Sequence, residues 1–246
     1  MPSTTYTTLL LPKHLAGPSL TRLANKLRDF KLHALQTDPK AFSLEYSSES
    51  PLPISVWEQR ITVPGSQILV CIATNPPSIA EAAPTSDMNE AQLRLLLSSE
   101  WTCIFTMIGP VSHAEWIFPK SDQPYSAPDV QETRWQLTSL FVLPTHRGRG
   151  LAKKITLAAI EYGSTVLVDD SSRVGRGLVR FRLIVHPDNR DVAVMYSNMG
   201  FVDCARYTLR EAYIANGDAK YIPAGAEAGK WDTRVGIGME YLVRHS

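Results

Sequence analysis

The stretch "LFVLPTHRGRGLAKKITLAAIEYG", residues 140–163, runs from an apolar strand into a basic, glycine-rich turn and on into a helix. The strand, "WQLTSLFVL" at 135–143, is stopped by Pro144. The turn packs two arginines and two glycines into residues 147–150, "RGRG", and a lysine pair follows at 153–154. From Gly148 to about Gly163 the pattern is helical, with Leu151, Ile155, Ala158, Ala159 and Tyr162 on one face. A helix start offers unpaired backbone N–H groups and the positive end of a macrodipole. An anion can therefore sit there without a dedicated side chain. Gly148 and Gly150 let the main chain approach that anion, because no Cβ stands in the way. Arg147, Arg149, Lys153 and Lys154 surround it with positive charge. The competing reading is a tight turn with solvated basic residues.

Two common nucleotide loops do not fit. The pattern GxxxxGK[ST] is absent, and Lys153 stands where GxGxxG needs its third glycine. The composition narrows the classes further. At 246 residues the chain is long enough for a substantial core, and 44% apolar with 20% charged residues is ordinary for a globular protein. A formal charge of +1 argues against nucleic acid or a membrane surface as partner. No run reaches the ~20 apolar residues of a membrane span, and the N-terminus lacks the pattern of a secretory signal. Cys71, Cys103 and Cys204 are isolated; the first two fall in apolar runs and read as buried free thiols, with no metal site. These features suggest a reducing, cytoplasmic setting.

Along the chain, residues 4–12, "TTYTTLLLP", read as a strand and 19–36 as an amphipathic helix closed by Pro39. "PISVWEQRI" reads as a short helix, "QILVCIAT" and "WTCIFTMIGPV" as strands, and "NEAQLRLLLSS" as a short helix. "LVRFRLIV" predicts a strand, "NRDVAVMYSNMG" a helix closed by Gly200, and "FVDCARYTL" a strand. The remainder reads as loop-rich until a last strand, "GMEYLVRH". This succession favours a mixed sheet flanked by helices, an α/β (α+β) arrangement. Residues 75–99, 119–133 and 164–177 read as insertions in one domain over 1–246.

One further pattern matches the turn. Arg147, Gly150 and Ala152 fit R/Q-x-x-G-x-G/A after a strand and opening a helix. This resembles the acyl-coenzyme A loop of the GNAT superfamily of N-acetyltransferases. "LIVHPDNRDVAVMYSNMGF" resembles the superfamily's later motif, with Asn189, Ala193, Tyr196, Gly200 and Phe201 in the matching places. "KLHALQTDPKAFSLEYSSE" with "VWEQRI" looks like the first two helices, which border the acceptor site. The resemblance covers roughly residues 5–60, 66–74 and 100–243.

The resemblance implies a mostly antiparallel sheet, splayed between the two strands that bracket the coenzyme A site. It implies transfer of an acetyl group from acetyl-CoA to a primary amine of a small molecule or peptide, by direct attack, without a metal. Main-chain groups of Leu140 and Val142 would meet the pantetheine arm and thioester, and the N–H groups of Arg147, Gly148, Arg149, Gly150, Leu151 and Ala152 the diphosphate. Asn189 would touch the pantetheine, or cap the next helix. Tyr196 would protonate the departing thiolate as general acid, or pack on the helix face.

The base is harder to place. Ile184 and Gln136 stand where relatives carry a glutamate, and neither accepts a proton. His186 is the candidate beside the motif, with Glu115, His113, Asp129 and a water relay as others. Glu45 and Glu49 are candidates for binding a cationic acceptor, or solvated surface. The alternatives in function are a non-catalytic acyl-CoA or coenzyme A binding protein, and an unrelated phosphate-ester enzyme. A homodimer is left open.

Overall fold

The threonine- and leucine-rich stretch at residues 4–12 and the helical spacing at 19–36 translate directly into the first elements of the computed structural model, which describes residues 4–74, 90–166, 177–226 and 228–244. The chain divides into two units, Met1–Thr106 with Ser139–Tyr162, and Met107–Thr138 with Gly163–Ser246. The first unit holds strand β1 (Thr5–Leu10), helices α1 (Gly17–Thr37), α2 (Tyr46–Glu49) and α3 (Ile54–Thr62), strand β2 (Ser66–Thr74), helix α4 (Glu90–Ser98) and most of strand β3 (Trp101–Ile108). Leu23, Leu27, Phe30 and Ala34 bury one stripe of α1, and Pro18 suits its first turn. That stripe, with Trp57 and Ile61 of α3, covers Leu9, Ile68, Val70 and Ile72. β1 and β2 pair antiparallel from Thr5↔Thr74 to Leu10↔Leu69. Thr8 faces Cys71 in that register, on the opposite side of the pleat. Cys71 and Cys103 are fully buried and free, as their apolar runs suggest.

The second unit holds helix α5 (His113–Trp116) and the start of strand β4 (Glu132–Val142), which finishes in the first unit. Helix α6 (Leu151–Thr165) lies in the first unit except for its last turn. Strand β5 (Leu178–Val185), helix α7 (Arg190–Ser197), strand β6 (Val202–Thr208), helices α8 (Leu209–Ala215) and α9 (Ala228–Asp232), and strand β7 (Arg234–Arg244) complete the second unit. The seven strands run β1-β2-β3-β4-β5-β7-β6 in a mostly antiparallel sheet flanked by helices. β4 and β5 are the parallel pair, and β7 pairs antiparallel with both β5 and β6. The β4–β5 ladder spans only Glu132↔Leu178 to Gln136↔Arg182, whereas β4 runs eleven residues.

Several expectations need correction. The helix after the turn starts at Leu151, not Gly148, because Gly148 and Gly150 both hold φ +75°, outside helical space. It also continues past Gly163, which is a packing glycine and not a stop. A Cβ there would lie 2.6 Å from the Phe181 ring and 3.0 Å from Met107. The region after Thr208 is not loop-rich throughout. Thr208 and Glu211 form a reciprocal capping box that starts α8, and β7 begins at Arg234, ahead of the apolar "GMEYLVRH". Glu132 and Thr133 belong to β4, not to a loop, and residues 90–98 form α4, the short helix expected at "NEAQLRLLLSS". Residues 75–89 and 167–176 lie outside the described residues.

Candidate functional site

The turn and everything that shapes it belong to the first unit. After β4, Pro144–His146 makes a single 3-10 turn, Arg147 is extended (φ −66°, ψ 160°), and the two left-handed glycines lead into α6. An added Cβ at Gly148 or Gly150 would meet nothing within 4 Å, so both glycines border open space. The first turn of α6 contributes N–H groups that no intrahelical carbonyl accepts. The basic residues divide into two sets. Arg147 folds back, donating to the Val142 carbonyl (3.2 Å) and to Asp38 (3.3 Å). Lys154 donates to the Tyr6 carbonyl at 2.5 Å, tying the helix to the edge strand β1. Arg149 and Lys153 are exposed around the loop. Beneath it, Tyr6 Oη lies 3.0 Å from His146 Nδ1, and the two rings meet edge to face.

Two residues that sequence reasoning passed over stand where β4 approaches this turn. Ser139 has φ +59° in the middle of a strand. The ammonium of Lys31, only 8% exposed, donates to its hydroxyl at 2.8 Å. The available signal was that Lys31 falls four residues after Leu27, in the apolar phase of α1. Glu49 is neither solvated nor open to a cationic acceptor. It is fully buried and takes a two-pronged bond from Arg60, at 2.5 and 2.8 Å. Glu45 is exposed.

In the second unit, Asn189 stands at the N-cap of α7, yet its side chain makes no capping hydrogen bond. Tyr196 is 3% exposed, with its ring edge-on to Phe201 at 5.2 Å. His186 is exposed, and its Nδ1 accepts the Asp188 N–H at 3.2 Å. Glu115 bonds Ser112 at the start of α5. Asp129 accepts from the His113 N–H (2.8 Å) and from Arg134 (2.7 Å), and His113 Nε2 lies 3.2 Å from the Ser126 carbonyl.

Gln136 belongs to a buried polar face. Its amide oxygen accepts from Arg182 (2.7 Å) and its NH2 donates to Asn216 (3.0 Å). The Arg182 guanidinium also donates to the Trp116 carbonyl (2.8 Å) and lies 3.7 Å from the centre of the Trp116 ring. Burial pulls the Arg182 pKa below its ordinary value, against the opposing pull of Tyr207. Arg180 donates to Glu132 (2.5 Å) and Glu240 (2.6 Å). Burial raises the Glu240 carboxyl, which Arg180 partly offsets. Among the described residues no cluster of His, Cys, Asp and Glu could hold a metal, and no helix is long and apolar enough to cross a membrane.

Fold and turn together define a class: an α/β protein with a mostly antiparallel sheet in which a glycine-rich turn after a central strand opens a helix. The family model described as "Acetyltransferase (GNAT) family" matches residues 116–201, which include that loop, β4, β5 and α7. Residues 116–201 are thus similar to the GNAT family, and the fold of the chain is the GNAT fold. Among solved structures it is similar to Arabidopsis thaliana NAA60 in complex with acetyl-CoA, at 13% identity and TM-score 0.50 over 98% of this chain and 99% of that one. It is also similar to a spermidine N-acetyltransferase from Vibrio cholerae in complex with CoA and spermine, at 10% identity and TM-score 0.48 over 98% and 95%. A GNAT-family acetyltransferase from Streptococcus pneumoniae matches at 14% identity and TM-score 0.47, over 98% and 100%. No curated protein matches the chain in sequence.

Proposed function

We propose that this protein is an N-acetyltransferase that moves the acetyl group of acetyl-CoA to a primary amine of a small molecule or peptide, by direct attack in a ternary complex. The observation that carries the reading is the pair of left-handed glycines, Gly148 and Gly150, open to space immediately before α6. Main-chain N–H groups of residues 147–152 hold the diphosphate, with Arg149 and Lys153 adding charge at the rim. The main chain of Leu140 and Val142 aligns the pantetheine arm and thioester, on a stretch of β4 beyond the end of its ladder with β5. Asn189 contributes its amide, which its own helix does not use as a cap. The amine attacks the thioester carbon, the C–S bond breaks, and Tyr196 supplies the proton that the thiolate takes up. His186, through Nε2, or solvent accepts the proton that the ammonium product loses. Three unpaired cysteines suit a reducing, cytoplasmic setting.

The test is calorimetric titration with coenzyme A against wild type, Gly150→Asp and Gly150→Asn. Both side chains tolerate a left-handed backbone, and only one carries charge. The carboxylate should weaken binding by ~100-fold or more with the melting temperature nearly unchanged, and the amide should weaken it less. Normal binding by Gly150→Asp would misplace the cradle. Tight binding of acetyl-CoA without thiol release on any amine would favour the non-catalytic alternative, a reading that Gln136 keeps open because it is committed to Arg182 and Asn216.

A further inference from the structure

Two unfavourable features of the first unit meet at one point of β4. Ser139 holds φ +59°, a backbone conformation that costs a non-glycine residue roughly 1 kcal/mol. Lys31 places an ammonium at a position of α1 otherwise filled by Leu27, Phe30 and Ala34, and is 8% exposed. Burying that charge is costly unless something holds it. The two are joined by the 2.8 Å bond from Nζ to the serine Oγ, while the same ammonium lies 4.7 Å from the centre of the Phe42 ring. Neither feature is needed to cover the sheet, since a methionine at 31 and an ordinary extended residue at 139 would do so.

The left-handed residue has a consequence for the strand. Trp135 and Phe141 share parity, so a regular strand would send them to one face. Yet the Trp135 indole N–H donates to the Gly163 carbonyl of α6 at 3.2 Å, whereas Phe141 lies 6.0 Å from Phe30 of α1 and 6.0 Å from Phe42, ring centre to ring centre. One irregular residue between them shifts the alternation, as a bulge does. Ser139 is that residue, and Leu140 and Val142 follow it directly.

We propose that Lys31 is a positioning residue for acetyl transfer: its ammonium clamps Ser139 in the left-handed conformation and so sets the direction of the β4 main chain at Leu140 and Val142. The inference rests on the function proposed above, which gives that main chain the thioester arm. It adds a residue on α1, far from the turn in sequence, whose loss should slow the chemical step more than it weakens cofactor binding. The diphosphate is held elsewhere, by the start of α6, so affinity and alignment separate.

The variants are Lys31→Met, which keeps the apolar stem, Ser139→Ala, and the two combined. Turnover is followed as thiol release from acetyl-CoA with the fastest acceptor in a panel of spermidine and methionyl and lysyl tetrapeptides. Each single variant should lower kcat by ~10-fold or more with the acetyl-CoA KM within about threefold, and the double variant should be no worse than either single. In the coenzyme-free protein, amide hydrogen exchange at residues 140–142 should quicken by ~10-fold in each variant, with the melting temperature of Lys31→Met unchanged or raised. A kcat within twofold of wild type, additive losses, or unchanged exchange at 140–142 would each overturn the clamp. Wild type that binds no coenzyme A would instead sink the transferase reading, and exchange would still decide the clamp. Should Lys31→Met not fold, Ser139→Ala alone carries the same expectations.

Discussion

The sheet face under α1 in the first unit is lined by Leu9, Ile68, Val70 and Ile72, whereas one face of β4, β5 and β7 in the second unit carries Glu132, Arg134, Arg180, Arg182 and Glu240, all under one-tenth exposed. The apolar face is held by burial, which is non-directional and tolerates small shifts. The charged face is held by matching. Arg180 sits between Glu132 and Glu240, Arg182 between Gln136, Tyr207 and two peptide or ring surfaces, and Arg134 against Asp129. Such a face is stable only while its members have partners, because removing one leaves another charged and dry. The difference teaches where each unit should be fragile: the first by degrees, the second abruptly.

The largest effect should come from breaking the match. Glu132→Ala strips Arg180 of its 2.5 Å partner and Arg134 of a carboxylate at 3.5 Å, and should cost about 3–5 kcal/mol in urea unfolding. A loss below about 1 kcal/mol would mean that water reaches this face and that the contrast between the units is false. Next comes Leu27→Ala in the first unit, which removes a 3% exposed side chain and should cost about 3 kcal/mol. Its size relative to Glu132→Ala measures the contrast directly.

A smaller effect tests the apolar side of β5 itself. Gly163→Ala adds a Cβ 2.6 Å from Phe181. Overpacking of about 1–3 kcal/mol should outweigh the ~1 kcal/mol that alanine gains in a helix, so the melting temperature should fall. A rise would show that the Phe181 ring gives way easily.

A last test concerns a charge inside the apolar unit. Burial lowers Lys13 from its ordinary 10.5 to about 8, while its ammonium donates to the Ile61 carbonyl at 2.7 Å. The folded lysine thus loses its proton before the unfolded one. Between pH 8 and 10.5 the unfolded state binds more protons, so wild-type stability should rise through that window relative to Lys13→Met. Below pH 8 the burial penalty is fully present and the curves should run parallel. Parallel curves from pH 8 to 10.5 as well would show that Lys13 is solvated.

How far these features could be read in advance differs from element to element. The strand at 178–185 was legible in "LVRFRLIV". Period-two alternation with arginines normally marks a solvated face, however, and nothing local reveals that the segment bearing Trp116 and Tyr125 covers it. Gly163 looked like a helix stop because the ring that excludes its Cβ comes from a strand eighteen residues on in the chain, at Phe181. α8 was announced by threonine and glutamate three residues apart, and that signal was overlooked among polar neighbours. Ser139 left no mark at all, since serine does not announce a left-handed backbone and the lysine that reaches it stands on α1, far away in the chain.

By itself, then, the sequence settled what near neighbours along the chain decide: an apolar strand, a turn with two glycines at positive φ, and the helix that follows it. Tertiary structure alone decided which of the charged residues go inside and whom they meet. Propensity and capping act within a few residues, but the cost of a buried charge depends on a partner that the chain brings from far away.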